Sequence, residues 1–172
     1  MNGKLYIGID NGATGTIGLL TSNGYVNFVK TPTREELSYT KKKQYLRRLD
    51  CEKFIDIITE AMAENNKNSS EVFCLLERPM VNPTMFNASI SAVRIIEAQL
   101  TMLETLDIPY AYIDSKNWQR QLLPSGVKGS TELKKASKDI GIRLFPKFKA
   151  DITKHKDADG LLIAEYARIK EM

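Results

Sequence analysis

Cysteine, histidine, tryptophan and long apolar runs are all scarce in this chain, and each shortage excludes something. Its 172 residues hold two cysteines, one histidine and one tryptophan. Cys51 and Cys74 lie far apart in unrelated elements, so they form neither a disulfide framework nor a metal-ligand pattern and read as reduced structural residues. No apolar run reaches the length that crosses a bilayer. The first residues enter an apolar strand directly, with no charged-then-apolar leader to suggest secretion. These absences set the expectation of a cytoplasmic protein with no membrane partner. Internal repeats and low-complexity tracts are lacking too, and 172 residues suit one domain spanning 1–172 with a real core.

What is present is charge, unevenly placed. The formal net charge is +4 and the pI about 9.0. Lys116, Arg120, Lys128, Lys134, Lys135, Lys138, Arg143, Lys147, Lys149, Lys154 and Lys156 share one stretch with few acids among them. Lys41-Lys42-Lys43 with Arg47 and Arg48 form a second block. Such blocks match the sequence-independent footprint of phosphate binding, and the stretch 116–156 is the favoured nucleic-acid surface. The bland alternative is a set of solvated helix faces.

The acids are placed more tellingly. Leu5 to Leu20 reads as an apolar run ending in Asp10, a turn with closely spaced glycines, and a second apolar run. Glycine takes the positive φ of a tight turn without a Cβ clash, and it leaves space beside the carboxylate. Glu71 to Glu77 is a short apolar run closing on Glu77, just before Arg78-Pro79. Asp157-Ala158-Asp159 opens a closing helix that runs on from Gly160. Carboxylates in a first helical turn face free N–H groups and the positive dipole end, so capping alone would explain that pair. Three clusters at the ends of apolar elements point further: converging carboxylates repel one another unless they hold divalent cations.

The order of elements reads as an α/β layered domain with a mixed sheet. Strands are expected at about 4–10, 14–20 and 24–30 as an antiparallel meander, with Ser22-Asn23-Gly24 as the second turn. The polar segment from Thr31 to Arg48 reads as an inserted loop, helical at most in part. A helix over 51–64, the strand ending at Glu77, a strongly periodic helix over about 88–106, a fifth strand at 110–113, a helix through 131–140 and the closing helix follow. Within the long helix Gln99 is the one polar exception on the apolar stripe.

Gly8-Ile-Asp-Asn-Gly12, Leu76-Glu-Arg-Pro79, Ile108-Pro-Tyr110 followed by Trp118-Gln119, and Asp157-Ala-Asp-Gly-Leu-Leu-Ile-Ala164 occur in that order along the chain. In this the chain resembles the RuvC-type Holliday junction resolvases, especially their shorter phage-encoded branch, over nearly its whole length. The resemblance implies a ribonuclease-H-like fold with a mixed five-stranded sheet, an antiparallel meander followed by parallel strands, flanked by helices. It implies a metal-dependent endonuclease cutting four-way DNA junctions, working as a homodimer, with two Mg²⁺ ions per site and Mn²⁺ as an alternative. A phage-encoded member would act in the cytoplasm of a bacterial host.

By resemblance Asp10 is the first-strand acid, Glu77 the middle-strand acid and Asp159 the last-helix acid. The fourth ligand position, one turn before that last Asp, is occupied by Lys156. A one-residue shift would bring in Asp157, the preferred candidate, or His155. Lys116, Lys128 and Lys156 are expected near the phosphates, with Lys134, Lys135, Lys138 and Lys154 on the same DNA-binding surface. An apolar wedge after the middle Glu is a family device, and here Met80 or Phe86 would supply it, although Phe86 reads equally as core. Trp118 reads as core packing. Two other functions compete: a junction-binding protein without catalysis, and an ATP-using domain of the actin and sugar-kinase type, whose phosphate loop resembles Gly8 to Gly15.

Overall fold

The computed structural model describes residues 3–41 and 43–172, so Lys42 of the first basic block lies outside the described residues. Among the described residues, seven strands and six α-helices follow one another as β1 (Leu5–Ile9), β2 (Thr16–Thr21), β3 (Val26–Lys30), β4 (Thr33–Leu37), β5 (Tyr45–Leu49), α1 (Cys51–Glu64), β6 (Val72–Glu77), α2 (Phe86–Thr105), β7 (Tyr110–Ile113), α3 (Ser115–Leu122), α4 (Ser130–Leu144), α5 (Lys149–Thr153) and α6 (Asp159–Ile169). The main sheet has the order β3-β2-β1-β6-β7. β1, β2 and β3 pair antiparallel, while β6 runs parallel to β1 and β7 parallel to β6. This is the mixed five-stranded sheet expected from the order of elements.

Strand periodicity divides the residues between two cores. On β1, Leu5, Ile7 and Ile9 meet α1 and α2, joined there by Val72, Cys74 and Leu76 of β6. The intervening residues Tyr6 and Leu75 meet the opposite layer, built chiefly on α6. Successive strand side chains alternate between faces. Continuing the β1 and β6 series by two puts Asp10 and Glu77 on the α6 face, at the carboxyl ends of adjacent parallel strands. The register Ile9 opposite Leu76 sets them side by side.

The second layer comes unusually close. A Cβ on Gly8 would lie 2.1 Å from the Ala164 nitrogen, and one on Gly18 would lie 2.4 Å from the Leu161 Cα. From the helix side, a Cβ on Gly160 would lie 2.4 Å from the Thr16 carbonyl oxygen. Three positions without side chains therefore let the start of α6 rest directly on the backbone of β1 and β2. Gly160 N–H also donates to Thr16 Oγ1 at 3.0 Å, linking positions 144 residues apart.

One expectation fails. The segment 31–48 is not a loop: β4 and β5 pair as a separate two-stranded antiparallel sheet. Its strands, Thr-Arg-Glu-Glu-Leu and Tyr-Leu-Arg-Arg-Leu, lack an apolar face, so their composition reads as polar loop. Cross-strand charge replaces it, with Arg48 2.8 Å from Glu36 and Arg47 3.4 Å from Glu35. Exposed pairs of this kind contribute at most about 1 kcal/mol each. Leu49 anchors the hairpin in the core, and the Arg94 guanidinium of α2 sits over the Tyr39 ring at 5.4 Å. The two cysteines are free, Cys74 buried and Cys51 partly buried. Gln99 is fully buried on α2, and neither of its amide atoms has a partner among the described residues.

The glycine contacts make a sharp prediction. Gly18→Ala drives a methyl group into the α6 backbone and is expected to cost about 3 kcal/mol, the upper end of ordinary overpacking. Urea unfolding followed by circular dichroism would show it as a lowered midpoint; an unchanged midpoint would contradict the close packing.

Candidate active site

Asp10 follows directly on β1, and its N–H donates to Thr16 O at 3.0 Å, which closes the turn between β1 and β2. Asp157 and Asp159 stand at the entry to α6, brought there by the glycine-to-backbone packing. Asp10, Asp157 and Asp159 each offer a carboxylate oxygen, and these atoms lie within 4.8 Å of one another. Asp157 is fully buried, while Asp10 and Asp159 are partly exposed. Glu77 stands beside this group and acts on it through its charge.

The electrostatics follow from burial and like charge. Burial pushes Asp10 well above the ordinary carboxylate range; the charges of Asp159, Glu77 and Asp157 add to the effect and Lys156 opposes it. Asp159 is pushed up to about 7, first by burial and then by Asp157, against a hydrogen bond from Ser137 and the charge of Lys156. Glu77 is raised by burial, against the hydrogen bond it receives from Trp118. Like carboxylates in a shared, poorly solvated site shift in this way.

The supporting side chains are specific. Trp118 is fully buried, and its indole N–H donates to Glu77 Oε2 at 2.6 Å. The Ser137 hydroxyl donates to Asp159 Oδ1 and itself accepts from Ala158 N–H at 3.2 Å. Asp157 Oδ1 accepts from Asp159 N–H at 3.4 Å, a long cap-like contact. Asp157 Oδ2 has no hydrogen-bond partner among the described residues, and the Lys156 ammonium stands 3.7 Å away. Lys156 also reaches Thr14 Oγ1 at 3.4 Å. A buried carboxylate oxygen left without a donor, inside an all-oxygen group of acids, fits a hard divalent cation.

His155 does not belong to that group. Its ring packs against Phe28 with centroids 4.5 Å apart, on the far side of Lys156 from the acids in sequence. Burial, with Lys30 next, lowers its pKa. Lys116 is exposed on α3, Lys128 is exposed just before α4, and Lys134, Lys135 and Lys138 lie along α4. The Lys138 ammonium donates to Thr153 O at 2.9 Å, and Lys154 pairs with Asp151 at 2.7 Å. Met80 is 79% exposed and lines a cleft with Glu77, Asn11 and Pro79. Phe86 is 66% exposed, which removes the core alternative, and it lines a separate apolar groove with Val81, Ile90 and Val93.

Trp118 and Ser137 have roles that sequence reasoning missed. Trp118 was legible as core, as it is, but its N–H is aimed at a carboxylate. Ser137 carried a weak signal: it is a hydroxyl on the α4 stripe otherwise formed by Leu133, Ile140 and Gly141. Asn11, next to Asp10, also faces the Glu77 cleft, and neither of its amide atoms has a partner among the described residues.

A carboxyl raised in the folded state disfavours folding once ionised. For Asp159 that penalty is full above pH 7 and recedes as pH falls toward the unfolded value near 4. Metal-free Asp159→Asn is therefore expected to melt above wild type at pH 8, with the gap narrowing by pH 5. Paired thermal melts in chelator check this, and a gap independent of pH would contradict the burial described for Asp159.

No protein-family profile and no curated protein matches the chain. Solved structures do. Thermus thermophilus RuvC in complex with a Holliday junction substrate superposes with a TM-score of 0.52 and 14% identity, covering 98% of this chain and 97% of that one. A second T. thermophilus RuvC structure gives a TM-score of 0.52 and 12% identity, with 97% of each chain covered. The chain thus has the RuvC-like, ribonuclease-H-like α/β fold.

Proposed function

We propose that the protein is a metal-dependent endonuclease that resolves Holliday junctions or related branched DNA. The observation that carries this reading is the convergence of Asp10, Asp157 and Asp159, with Glu77 beside them, at the carboxyl ends of β1 and β6. The fold, shared with a RuvC bound to a Holliday junction, supports the substrate class.

Asp10, Glu77, Asp157 and Asp159 are the catalytic set and would hold two Mg²⁺ or Mn²⁺ ions. When bound, such ions activate a water and stabilise the leaving oxygen of an in-line phosphodiester attack. The chain's own contribution is to hold the carboxylates in place. Trp118 fixes one Glu77 oxygen, leaving the other for the site, and Ser137 ties Asp159 to the entry of α6. Asp157 takes the fourth position in preference to His155, since its carboxylate lies among the acids and has an oxygen without a hydrogen-bond partner, while the imidazole lies outside that group. The Lys156 ammonium, between Thr14 and Asp157, would neutralise charge at the scissile phosphate.

Lys116, Lys128, Lys134, Lys135, Lys138 and Lys154 would carry the flanking DNA backbone. Of the two wedge candidates, Met80 shares its cleft with Glu77 and is favoured over Phe86. A homodimer would match the two-fold symmetry of a junction, with one active site for each exchanging strand.

The test is cleavage of a labelled four-way junction with Mg²⁺, beside linear duplex and a flap. Wild type is expected to make paired symmetric nicks in the junction. Asp10→Asn should slow them by about a thousandfold or more, the scale of several kcal/mol of lost charge stabilisation. Tight binding without cleavage in either Mg²⁺ or Mn²⁺ would reduce the protein to a junction-binding module.

Trp118→Phe keeps most of the ring volume and removes the donor. Supporting residues of this kind typically change metal affinity by about 10–100-fold. Mn²⁺ titration of the folded variant should show that loss, and an unchanged affinity would leave Trp118 with packing alone.

A further inference from the structure

We propose that the groove between β3, the β4–β5 hairpin and the residues entering α6 is a backbone-binding subsite, holding the phosphodiester chain of the DNA strand as it leaves the acid cluster. The inference rests on the nuclease reading and extends it to a surface supplied largely by the hairpin.

The groove measures about 590 Å³ and is lined by Thr14, Thr31 and four cations, Lys30, Arg47, Lys154 and Lys156, with Glu35 its one carboxylate. At about 30 Å³ per water it has room for roughly twenty waters, more than one phosphate group would fill. Two of its cations are weakly committed. Lys30 has no carboxylate within 4.0 Å among the described residues, and Arg47 holds Glu35 only at 3.4 Å. By contrast, Arg34 and Arg48 are both taken up by Glu36, at 2.6 and 2.8 Å. Thr31 Oγ1 and His155 Nδ1, in residues of the same wall, have no hydrogen-bond partner among the described residues. The groove therefore offers an excess of positive charge and unmet polar groups.

Its position gives the charge a purpose. Lys156 lines the groove and also faces Asp157 at 3.7 Å, so the groove begins where the acid cluster ends. Thr16 belongs to both, lining the groove and accepting from Gly160 at the start of α6. The lining contains no Phe, Tyr or Trp, and its one aromatic ring, His155, is already packed against Phe28. Unpaired bases are held by stacking on aromatic rings, whereas cations and hydroxyls hold phosphates. The occupant is thus backbone, read without regard to sequence.

The test compares wild type with the double variant Lys30→Ala/Arg47→Ala. Both positions lie on the surface, and equal melting temperatures would confirm that the variant folds. Junction binding is measured in Ca²⁺ across a range of salt. Losing two phosphate contacts should make the plot of log affinity against log salt shallower by about 1–2, with at least tenfold weaker binding at low salt. A junction carrying single methylphosphonate linkages near the cut supplies the second readout. One such neutral linkage should weaken wild type and leave the variant unaffected.

A folded variant with the wild-type salt slope, or one that loses as much affinity to the neutral linkage as wild type does, would overturn the groove while wild-type cleavage keeps the nuclease reading intact. A wild type that binds no DNA would overturn both. Millimolar inorganic phosphate should compete no better than chloride at equal ionic strength. Specific competition would reassign the groove to a free anion.

Discussion

The meeting of Asp157 and Asp159 with Asp10 depends on α6 lying directly on the backbone of β1 and β2. Helices normally rest on sheets through interlocking side chains, at a distance that side chains set. Here Gly8, Gly18 and Gly160 remove those side chains at the crossing, and the entry to α6 drops to the level of the strand ends. The Thr16 hydroxyl then completes the contact by taking up a free N–H of the first helical turn. Asp157 and Asp159 reach Asp10 because nothing bulky intervenes.

Burial, with the proximity of like charges added to it, has an electrostatic cost, visible in the raised carboxyls of Asp10, Glu77 and Asp159. Several contacts limit it: Trp118 on Glu77, Ser137 on Asp159, and Lys156 alongside. None of them removes it, and Asp157 keeps an oxygen without a donor. Sites poised for function characteristically hold such perturbed groups, because the surrounding fold maintains an arrangement that its own charges oppose. Burial of the opposite faces of β1 and β6 against α1 and α2 provides the rigidity that holds them there.

Much of this was legible from pattern alone. The alternation of β1 and β6 gives the faces, and counting two residues past Gly8 and past Leu75 reaches Asp10 and Glu77 without reference to coordinates. The long α2 and the closing α6 announce themselves by apolar periodicity. What stayed hidden depends on partners distant in sequence. The β4–β5 hairpin carries charges paired across its strands, and a run such as Arg-Glu-Glu has no apolar alternation to reveal it. Trp118 could be assigned to the core, but the direction of one N–H is fixed by the packing of α3 against the sheet and α6. The tie from Ser137 to Asp159 spans 22 positions and two helices, beyond the range of any local signal.

The joining of the last helix to the first two strands also sets the order in which the site can come into being. Residues 5–21 can form their hairpin early in synthesis, yet they are only half of a layer until the segment from Asp157 onward arrives. Contacts of such sequence separation form late, because the loop they close must be ordered before they are gained. Until α6 docks, Asp10 has only Glu77, at the end of the adjacent β6, for an acidic neighbour, and the two acids nearest it in the cluster are still missing. A chain truncated before that segment would carry the sequence of all seven strands with Asp10 and Glu77, but would lack Asp157 and Asp159: the final helix is the part that completes the cluster.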